Sequence, residues 1–264
     1  MERLNKIKIY RSNIELSEKI ENIVSNKLIN NGFEIVKDNY QIALAIGGDG
    51  TFLKTVRQTN FNPDVLYVGI NTGTLGFAEE YQPEEIDEFI RELKTNDYKV
   101  GKIGVQETKI KTETKNKSLL SLNEIVIHDK NLKTLGLDIY IEDIFLERFT
   151  GEGMLVATSF GSTAHNLNFG GSIIHNSFDT LQLTPIAPLN NKMYKTLSNS
   201  VVIPEEKKIK IMPISTENIM LTLDGENYNY ENVLEIETTV NRRKIRCLRR
   251  NSYDFSKKVN EKFL

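Results

Sequence analysis

The sequence is poor in the residues that build disulfides and protein-bound metal sites. Among 264 residues it has one cysteine, Cys247, and three histidines, His128, His165 and His175. A single cysteine excludes an intramolecular disulfide framework and a cysteine-based structural zinc site. Three scattered histidines do not favour a histidine-rich metal site either. We therefore expect no metal held by the protein alone, and a reducing compartment for the thiol.

The sequence also lacks an excess of charge of one sign and a long apolar run. Its 34 Lys and Arg against 36 Asp and Glu give a formal net charge of -2, which provides no global positive field for nucleic acid or an anionic membrane. No segment approaches the roughly 20 apolar residues of a membrane helix. Residues 1–10 do not contain the apolar core of a signal peptide. These absences predict a cytoplasmic protein without a nucleic-acid or membrane partner.

The chain changes in texture near residue 100, which predicts two domains. Before that point, uninterrupted apolar runs at 42–46 and 65–70 are typical of strands buried on both faces of a parallel sheet. Helical spacing links Leu16, Ile20, Ile23, Val24 and Leu28, and an amphipathic helix is predicted to open at residue 83. After about residue 100, period-two alternation predicts a mostly β half. Helical spacing returns at 254–264, and we expect this last helix to pack back onto another element.

The strongest motif is the run GGDGT at the end of the first apolar strand. Ligands of open α/β sheets bind outside the carboxyl ends of their strands. Glycines let a phosphate approach the backbone, and a helix beginning near residue 51 would offer free N–H groups. An aspartate beside phosphates needs a further reason, and a general base or a carboxylate that reaches magnesium on the phosphates supplies one. The alternative is a glycine turn in which the aspartate bonds its own backbone. The candidates here are Gly47, Gly48, Asp49, Gly50 and Thr51.

A second glycine turn, NTGTLGF at 71–77, follows the next apolar strand. Because parallel strands place their carboxyl ends on one edge, we expect the two turns to lie side by side around one crevice. The candidate ligand contacts in the second turn are Asn71, Gly73 and Phe77.

The β half contains further polar candidates that could fix ribose hydroxyls or a carboxamide. They are Asn123, Glu124 and Glu152, and the stretch Ser162, Thr163, Ala164, His165 and Asn166 adds hydroxyls and a ring. Taken singly, hairpin and turn chemistry explains many of them equally well. A G-x-S-x-G nucleophile motif is absent, so serine hydrolysis is not favoured.

These motifs, in this order, resemble the bacterial NAD kinases, which transfer a phosphoryl group from ATP or polyphosphate to NAD. The matching runs are GGDGT at 47–51, NTGTLGF at 71–77, LNE at 122–124, the Gly-acid-Gly at 151–153, GSTAHN at 161–166 with Gly170 and Gly171, LTPIAP at 183–188 and DGE at 224–226. GGDGT alone is shared with lipid and sphingoid kinases. The NTGTLGF, Asn-Glu and STA runs distinguish the NAD kinases from them.

The resemblance implies a fold, an activity and roles for individual residues. The fold class would be α/β plus β, with a Rossmann-like donor-binding domain at 1–100, a β-rich, sandwich-like NAD-binding domain at 101–250 and a helix within 251–264. Asp49 would be the catalytic residue for phosphorylation of the adenosine 2′-hydroxyl, with Gly50 beside the dinucleotide. Asn123 and Glu124 would hold ribose and pyrophosphate, residues 163–166 adenosine, and Glu152 the nicotinamide end.

The same resemblance implies partners, a cofactor and rival functions. NAD, NADP and ATP or polyphosphate would be ligands, and Mg²⁺ would accompany the donor. A homodimer or homotetramer is expected, with Ala187 as a contact that a neighbouring subunit could supply. The alternatives are a lipid or sphingoid kinase and a non-catalytic NAD sensor. The chain departs from the family pattern at Thr150, Glu152, His165 and Glu226, where Arg, Asp, Tyr and Gln are frequent, and for these positions the resemblance leaves affinity and donor choice open.

Overall fold

The computed structural model describes residues 4–73, 76–215 and 217–264, and it divides into two compact units. The first unit combines the chain up to Ile103 with Arg243–Leu264, and the second unit is Gly104–Arg242. The binding roles that the sequence assigns to domains at 1–100 and 101–250 stay a prediction. The strands are β1 (Lys6–Arg11), β2 (Glu34–Ile35), β3 (Ile42–Gly47), β4 (Leu66–Asn71), β5 (Tyr98–Thr112), β6 (Asn116–Ser121), β7 (Glu124–Asp129), β8 (Leu135–Ile141), β9 (Ile144–Gly151), β10 (Gly153–Thr158), β11 (Thr180–Ile186), β12 (Val201–Pro204), β13 (Ile209–Pro213), β14 (Ile219–Leu223), β15 (Glu226–Asn229) and β16 (Val233–Arg250).

The helices of the described chain are short and amphipathic. They are α1 (Glu15–Asn30), α2 (Asp49–Gln58), α3 (Ile86–Thr95), α4 (His165–Asn168) and α5 (Phe255–Phe263), with 3-10 turns at Pro83–Glu85 and Phe160–Thr163. Within the described residues, none of them has the length and apolar character that crossing a membrane requires. Both predicted helices are present: the helix predicted from residue 83 begins with a 3-10 turn and continues as α3, and the C-terminal one is α5.

The first unit is built on a parallel sheet. Its strand order is β2-β1-β3-β4 followed by the end of β16. The register pairs Ile42 with Leu66 and Gly47 with Asn71, so β3 and β4 end side by side. Both strands are buried along their whole length, as expected for a sheet covered on both faces. This pairing brings the two glycine turns to one edge of the sheet.

Helix α1 packs on this sheet through a narrower stripe than the sequence pattern indicates. Ile20, Val24 and Leu28 are buried, and they join the apolar core of the first unit. Leu16 and Ile23, which the helical spacing also predicts to be buried, are 47% and 45% exposed. Each i+4 step along the row 16, 20, 24 and 28 rotates the side chain by about 40° around the helix. The buried stripe is centred on 20, 24 and 28, so positions 16 and 23 lie on its flank.

The second unit is a β-sandwich-like body with its own core. One layer is a six-stranded antiparallel sheet in the order β12-β11-β10-β7-β14-β15. The other layer pairs β13 with β8 and β8 with β9, and β13 also pairs with the first half of β16. Isoleucine, leucine and valine side chains from both layers form one buried cluster. An α/β unit with a β unit confirms the predicted fold class.

Candidate functional site

The GGDGT run forms the junction between β3 and α2. The carbonyl oxygen of Gly48 accepts N–H bonds from Thr51 at 2.7 Å and from Phe52 at 3.2 Å. The helix therefore begins at Asp49, two residues earlier than the sequence predicts, and Asp49 lies at the positive end of the helix dipole. A Cβ on Gly47 would lie 2.1 Å from the Thr51 hydroxyl oxygen. Only glycine fits at that position.

The second turn lies against the first. The N–H of Thr72 donates to the carbonyl oxygen of Gly47 at 3.2 Å. The Asn71 side chain bridges its own turn, because its amide donates to the carbonyl of Gly73 at 2.9 Å and accepts from the N–H of Gly73 at 3.1 Å. Thr74 and Leu75 of this motif lie outside the described residues. The structure brings the two predicted turns together.

The Asp49 carboxylate is held by a backbone donor and a cation. Its Oδ1 accepts the N–H of Ala78 at 2.9 Å, and its Oδ2 accepts a bond from the Lys262 ammonium at 3.0 Å. Burial by itself would raise the pKa of Asp49, but these two contacts, together with a hydrogen bond from Glu79, outweigh burial and hold the pKa below its ordinary value. About a third of the side chain, 36%, remains exposed. Asp49 is thus an ionised, partly accessible carboxylate at neutral pH.

A second carboxyl group, Glu79, lies against Asp49. A Cβ on Gly76 would lie 1.9 Å from Glu79 Oε2 and 2.4 Å from Asp49 Oδ1, so both groups converge over this glycine. Burial, together with the charge of Asp49, raises the pKa of Glu79 to about 8. Like charges at this separation disfavour double ionisation. At neutral pH the pair therefore holds one proton, which resides on Glu79.

Helix α5 covers this carboxyl pair. Its N-terminus is capped by Asp254, which accepts the N–H of Lys257 at 2.9 Å. The ring of Phe77 packs between Phe255 and Phe263, with centroid distances of 5.9 and 5.7 Å. Phe77, a predicted ligand contact, therefore has its ring buried against α5.

Two lysines one turn apart on α5 face the acidic groups. The Lys258 ammonium donates to the carbonyl oxygen of Glu79 and lies 4.0 Å from the Glu80 carboxylate. Burial, reinforced by the nearby Arg249, lowers the pKa of Lys258 to about 8. Sequence reasoning missed Glu79, Lys258 and Lys262. The available signals were two adjacent acids directly after the second glycine turn and two lysines at i, i+4 spacing.

In the second unit, Asn123 and Glu124 lie at the start of β7 and are shaped by the Asp224 carboxylate. This carboxylate accepts the N–H groups of Leu122 and Asn123, each at 2.7 Å. Asp224 itself has a left-handed backbone, with φ of 46°, in the turn that joins β14 to β15. The DGE run thus fixes the backbone that presents Asn123 and Glu124.

Both of these side chains carry buried oxygens without a partner. Asn123 Oδ1 and Glu124 Oε2 have no hydrogen-bond donor among the described residues. Glu124 Oε1 lies 3.5 Å from Nδ1 of His165, whose side chain is 56% exposed. Burial, with the added charge of Asp224, raises the pKa of Glu124 to about 8. Unpaired buried polar atoms in a native fold need a partner, and a bound polar ligand would supply one.

The remaining predicted residues of the STA run differ in their roles. Ser162 and Asn166 are fully buried and bond inside the fold. The Ser162 hydroxyl donates to the carbonyl of Ser159 at 2.7 Å, and Asn166 Oδ1 accepts the Thr184 hydroxyl at 2.7 Å. Between them, Thr163 and Ala164 are half-buried and His165 is exposed. The last three are therefore the accessible part of this run.

Glu152, Ala187 and Glu226 are exposed. The Glu152 N–H donates to the carbonyl oxygen of Ile186 at 3.0 Å, which places Glu152 beside Ala187. Ala187 has a left-handed backbone, with φ of 44°. Glu226 begins β15, two residues after Asp224. Glu152 and Ala187 are thus neighbours, and Glu226 lies on the hairpin that organises β7.

The described residues contain no group of three His, Cys, Asp or Glu side chains arranged to hold a metal ion. The two carboxyl groups that converge near the glycine turns are Asp49 and Glu79, of which Glu79 carries the proton at neutral pH. Oxygen ligands for a divalent ion at this edge would have to come largely from phosphates.

Comparison with known families finds matches over most of the chain. Residues 6–98 match the ATP-NAD kinase N-terminal domain, and residues 122–245 match the ATP-NAD kinase C-terminal domain. The chain belongs to the NAD kinase family. It is therefore a kinase of the phosphotransferase class that acts on NAD. A lipid or sphingoid kinase is excluded, because the match extends through the C-terminal domain of the NAD kinases.

The relatives of the chain cover nearly its full length. It is 38% identical over 236 residues to an NAD kinase of Finegoldia magna, with 86% of each chain covered. The crystal structure of yeast NADH kinase complexed with NADH is similar with a TM-score of 0.87, 23% identity, and coverage of 99% of this chain and 88% of the yeast chain. An NAD kinase of Archaeoglobus fulgidus in complex with ATP gives a TM-score of 0.73 at 20% identity, with 97% and 99% covered. The solved structures share the fold.

Proposed function

We propose that Asp49 is the general base that activates the adenosine 2′-hydroxyl of NAD for phosphoryl transfer. The observation that carries the proposal is an ionised, partly exposed carboxylate at the start of α2, where both glycine turns meet. Asp49 Oδ1 accepts the Ala78 N–H and Oδ2 the Lys262 ammonium, and a carboxylate has about four lone-pair sites, so room is left for a substrate hydroxyl. A sensor protein would have no use for such a base.

Phosphoryl transfer at this site requires that the protein position the hydroxyl and the phosphates, rather than form a covalent bond with them. As the hydroxyl oxygen attacks the terminal phosphorus, its proton passes to an Asp49 oxygen and the bond to the leaving phosphate breaks. The N–H groups at the start of α2 and the glycine turns would stabilise the phosphate oxygens. The proton-bearing Glu79 faces Asp49 without adding a second negative charge beside the phosphates.

A divalent cation such as Mg²⁺ would enter on the donor phosphates and neutralise charge that develops there. ATP is the donor we propose, because the relative from Archaeoglobus fulgidus was solved in complex with ATP. Polyphosphate is the alternative donor. NADP is the product to be released.

For the acceptor we propose that Asn123 and Glu124 bond ribose and pyrophosphate through their unpaired oxygens. With its raised pKa, Glu124 is protonated at neutral pH and can donate to a hydroxyl or phosphate oxygen. Thr163, Ala164 and His165 would contact adenosine, and Glu152 the nicotinamide end. Ser162 and Asn166 would hold the backbone of this stretch in place, because their side chains form hydrogen bonds inside the fold.

We also propose a homodimer or homotetramer located in the cytoplasm. Support for association comes from exposed apolar side chains along β9, an edge strand, and the loop beside it: Ile144 is 76%, Phe145 53% and Met193 82% exposed. Leu197 of this loop bonds Glu147 of β9 at 2.8 Å. Contiguous exposed apolar surface marks interaction sites. The lone, buried thiol of Cys247 is compatible with a reducing compartment.

The experiment that tests the reaction uses purified protein, NAD and Mg²⁺ with ATP or polyphosphate, and detects NADP with an NADP-specific dehydrogenase. We expect NADP formation with NAD and none with 2′-deoxy-NAD, which lacks the attacking oxygen but keeps the other contacts. NAD binding without NADP formation would show a sensor. Phosphorylation of 2′-deoxy-NAD would show that another hydroxyl is the acceptor.

A further inference from the structure

The C-terminal helix supplies a charge to the proposed catalytic carboxylate. Lys262 is 213 residues from Asp49 in the sequence, yet its ammonium lies 3.0 Å from Asp49 Oδ2. The two side chains are 24% and 36% exposed, so the ion pair is partly shielded from water. A partly buried charge-assisted bond is shorter and stronger than a bond between neutral groups.

The position of Lys262 is fixed by packing on both sides. Its ammonium lies 5.0 Å from the centroid of the Phe77 ring, within the range of a cation–π contact. That ring is itself held between Phe255 and Phe263 of the same helix. One turn earlier, Lys258 bonds the backbone of Glu79. Helix α5 is thus docked so that Lys262 reaches Asp49.

Lys262 favours the charged form on one member of the carboxyl pair. Asp49 and Glu79 converge over Gly76, and with both ionised neither oxygen of Glu79 has a donor among the described residues. One proton between the two groups resolves this conflict, and Lys262 with the Ala78 N–H favours the charged form on Asp49. The charged and titratable groups that face the pair are Lys258 and Lys262 from α5, with Glu80 and Arg249 next to Lys258.

We propose that Lys262 is a positioning residue, which keeps the Asp49 carboxylate ionised and correctly oriented for proton removal, so that helix α5 is part of the active site. The inference rests on the proposed role of Asp49. It assigns to the last turn of α5 a role in turnover rather than in substrate binding, because Lys262 bonds the proposed base itself.

The test compares Lys262→Met and Lys262→Arg with Lys257→Met, a matched control on the same helix. Lys257 is 72% exposed and pairs with Glu261. We expect Lys262→Met to lower kcat about 10- to 100-fold, the range for a bond to a charged group, with the KM for NAD changed less than about twofold. The acid limb of the kcat profile should move to higher pH. Arginine should restore part of kcat, and Lys257→Met should resemble the wild type.

Thermal unfolding of every variant separates this role from a folding defect. Should methionine destabilise the protein, Lys262→Gln keeps a neutral donor, and the proposal predicts a similar loss of kcat. Lys262→Met with wild-type kcat and pH profile overturns the proposal, as does an equal loss in Lys257→Met. Asp49→Asn is assayed in parallel: if Asp49→Asn is inactive while Lys262→Met is normal, the inference alone fails, whereas an active Asp49→Asn refutes the proposed base.

Discussion

Single residues at the glycine turns owe their properties to neighbours far away in the sequence. Asp49 is ionised because a backbone N–H 29 residues away and an ammonium near the C-terminal end bond it. Glu79 is neutral because it is buried beside that charge. The motif GGDGT predicts the location of the Asp49 carboxylate, but its partners, the Ala78 N–H and Lys262, can be seen only in the folded chain.

Glu79→Gln should make the stability of the protein less dependent on pH. The pKa of Glu79 is about 8 in the folded protein against 4.5 ordinarily. The folded state therefore holds its proton more tightly, and this stabilisation is fully present below about pH 4.5 and is lost as pH rises through about 8. Glutamine does not titrate. The unfolding free energy of Glu79→Gln relative to wild type should accordingly rise between pH 5 and 8.

Chemical denaturation at several pH values measures this difference. Glu124→Gln is a useful comparison, because the pKa of Glu124 is also raised to about 8 but in the second unit. A constant offset between Glu79→Gln and wild type from pH 5 to 8 would mean that Glu79 is ionised in the folded protein.

His165→Tyr should lower the KM for NAD several-fold with little change in kcat. His165 is exposed near the start of the β7 strand, with its ring nitrogen 3.5 Å from Glu124. Base-on-aromatic stacking is worth about 1–3 kcal/mol per base, and a larger ring gains a fraction of that. Because ground state and transition state would gain equally, kcat should stay constant. Steady-state kinetics decide, and an unchanged KM would indicate that residue 165 does not touch adenine.

At the scale of elements, local patterns predict strands and turns well. Uninterrupted apolar runs place β3 and β4 within a residue of their observed limits, because burial on both faces leaves a clear signal. The start of α2 is predicted two residues late, since the capping role of the Gly48 carbonyl depends on backbone geometry. The packing of α5 on Phe77 is a tertiary contact. Helical spacing predicts that one face of α5 is buried, but it does not predict that Phe77 covers that face.

Phe255→Ala should loosen α5 without unfolding the rest of the first unit. Phe255 is 9% exposed and packs against Phe77, and truncating a buried phenylalanine costs about 3–5 kcal/mol. A terminal helix can detach locally. Hydrogen exchange of residues 254–264 should accelerate at least about tenfold, while amides of β3 keep their protection. Ser256→Ala, exposed on the same helix, is the control. Equal acceleration in both regions would indicate global destabilisation instead.

At the scale of the whole molecule, the sequence motifs indicate the family, and the structure shows which residues each site residue contacts. The order of the motifs along the chain is sufficient to predict the fold class and the reaction, because the glycine turns and polar pairs are short segments that can be recognised locally. The roles of Ser162 and Asn166 are less predictable. Their residue types suit a ligand site, but burial shows that their hydrogen bonds are made inside the fold.

Phe145→Lys should weaken self-association if the edge strand β9 forms the subunit contact. Phe145 is 53% exposed and packs edgewise on Tyr140, with ring centroids 5.4 Å apart. A buried unpaired charge would oppose the contact. Sedimentation velocity should show a smaller species, with little change in melting temperature. Leu132→Lys, at an 81% exposed position in the turn between β7 and β8, provides a control. An unchanged distribution for Phe145→Lys would place the interface elsewhere.

The role of Asp49 is tested most directly by the turnover of Asp49→Asn, measured together with its affinity for NAD. The amide has the shape of the carboxylate but cannot accept the proton. We predict that kcat falls by about 10² to 10⁴, the usual contribution of a positioned base, while the dissociation constant for NAD from calorimetry stays nearly unchanged. Wild-type turnover in Asp49→Asn would contradict the account and reduce Asp49 to a residue of the turn.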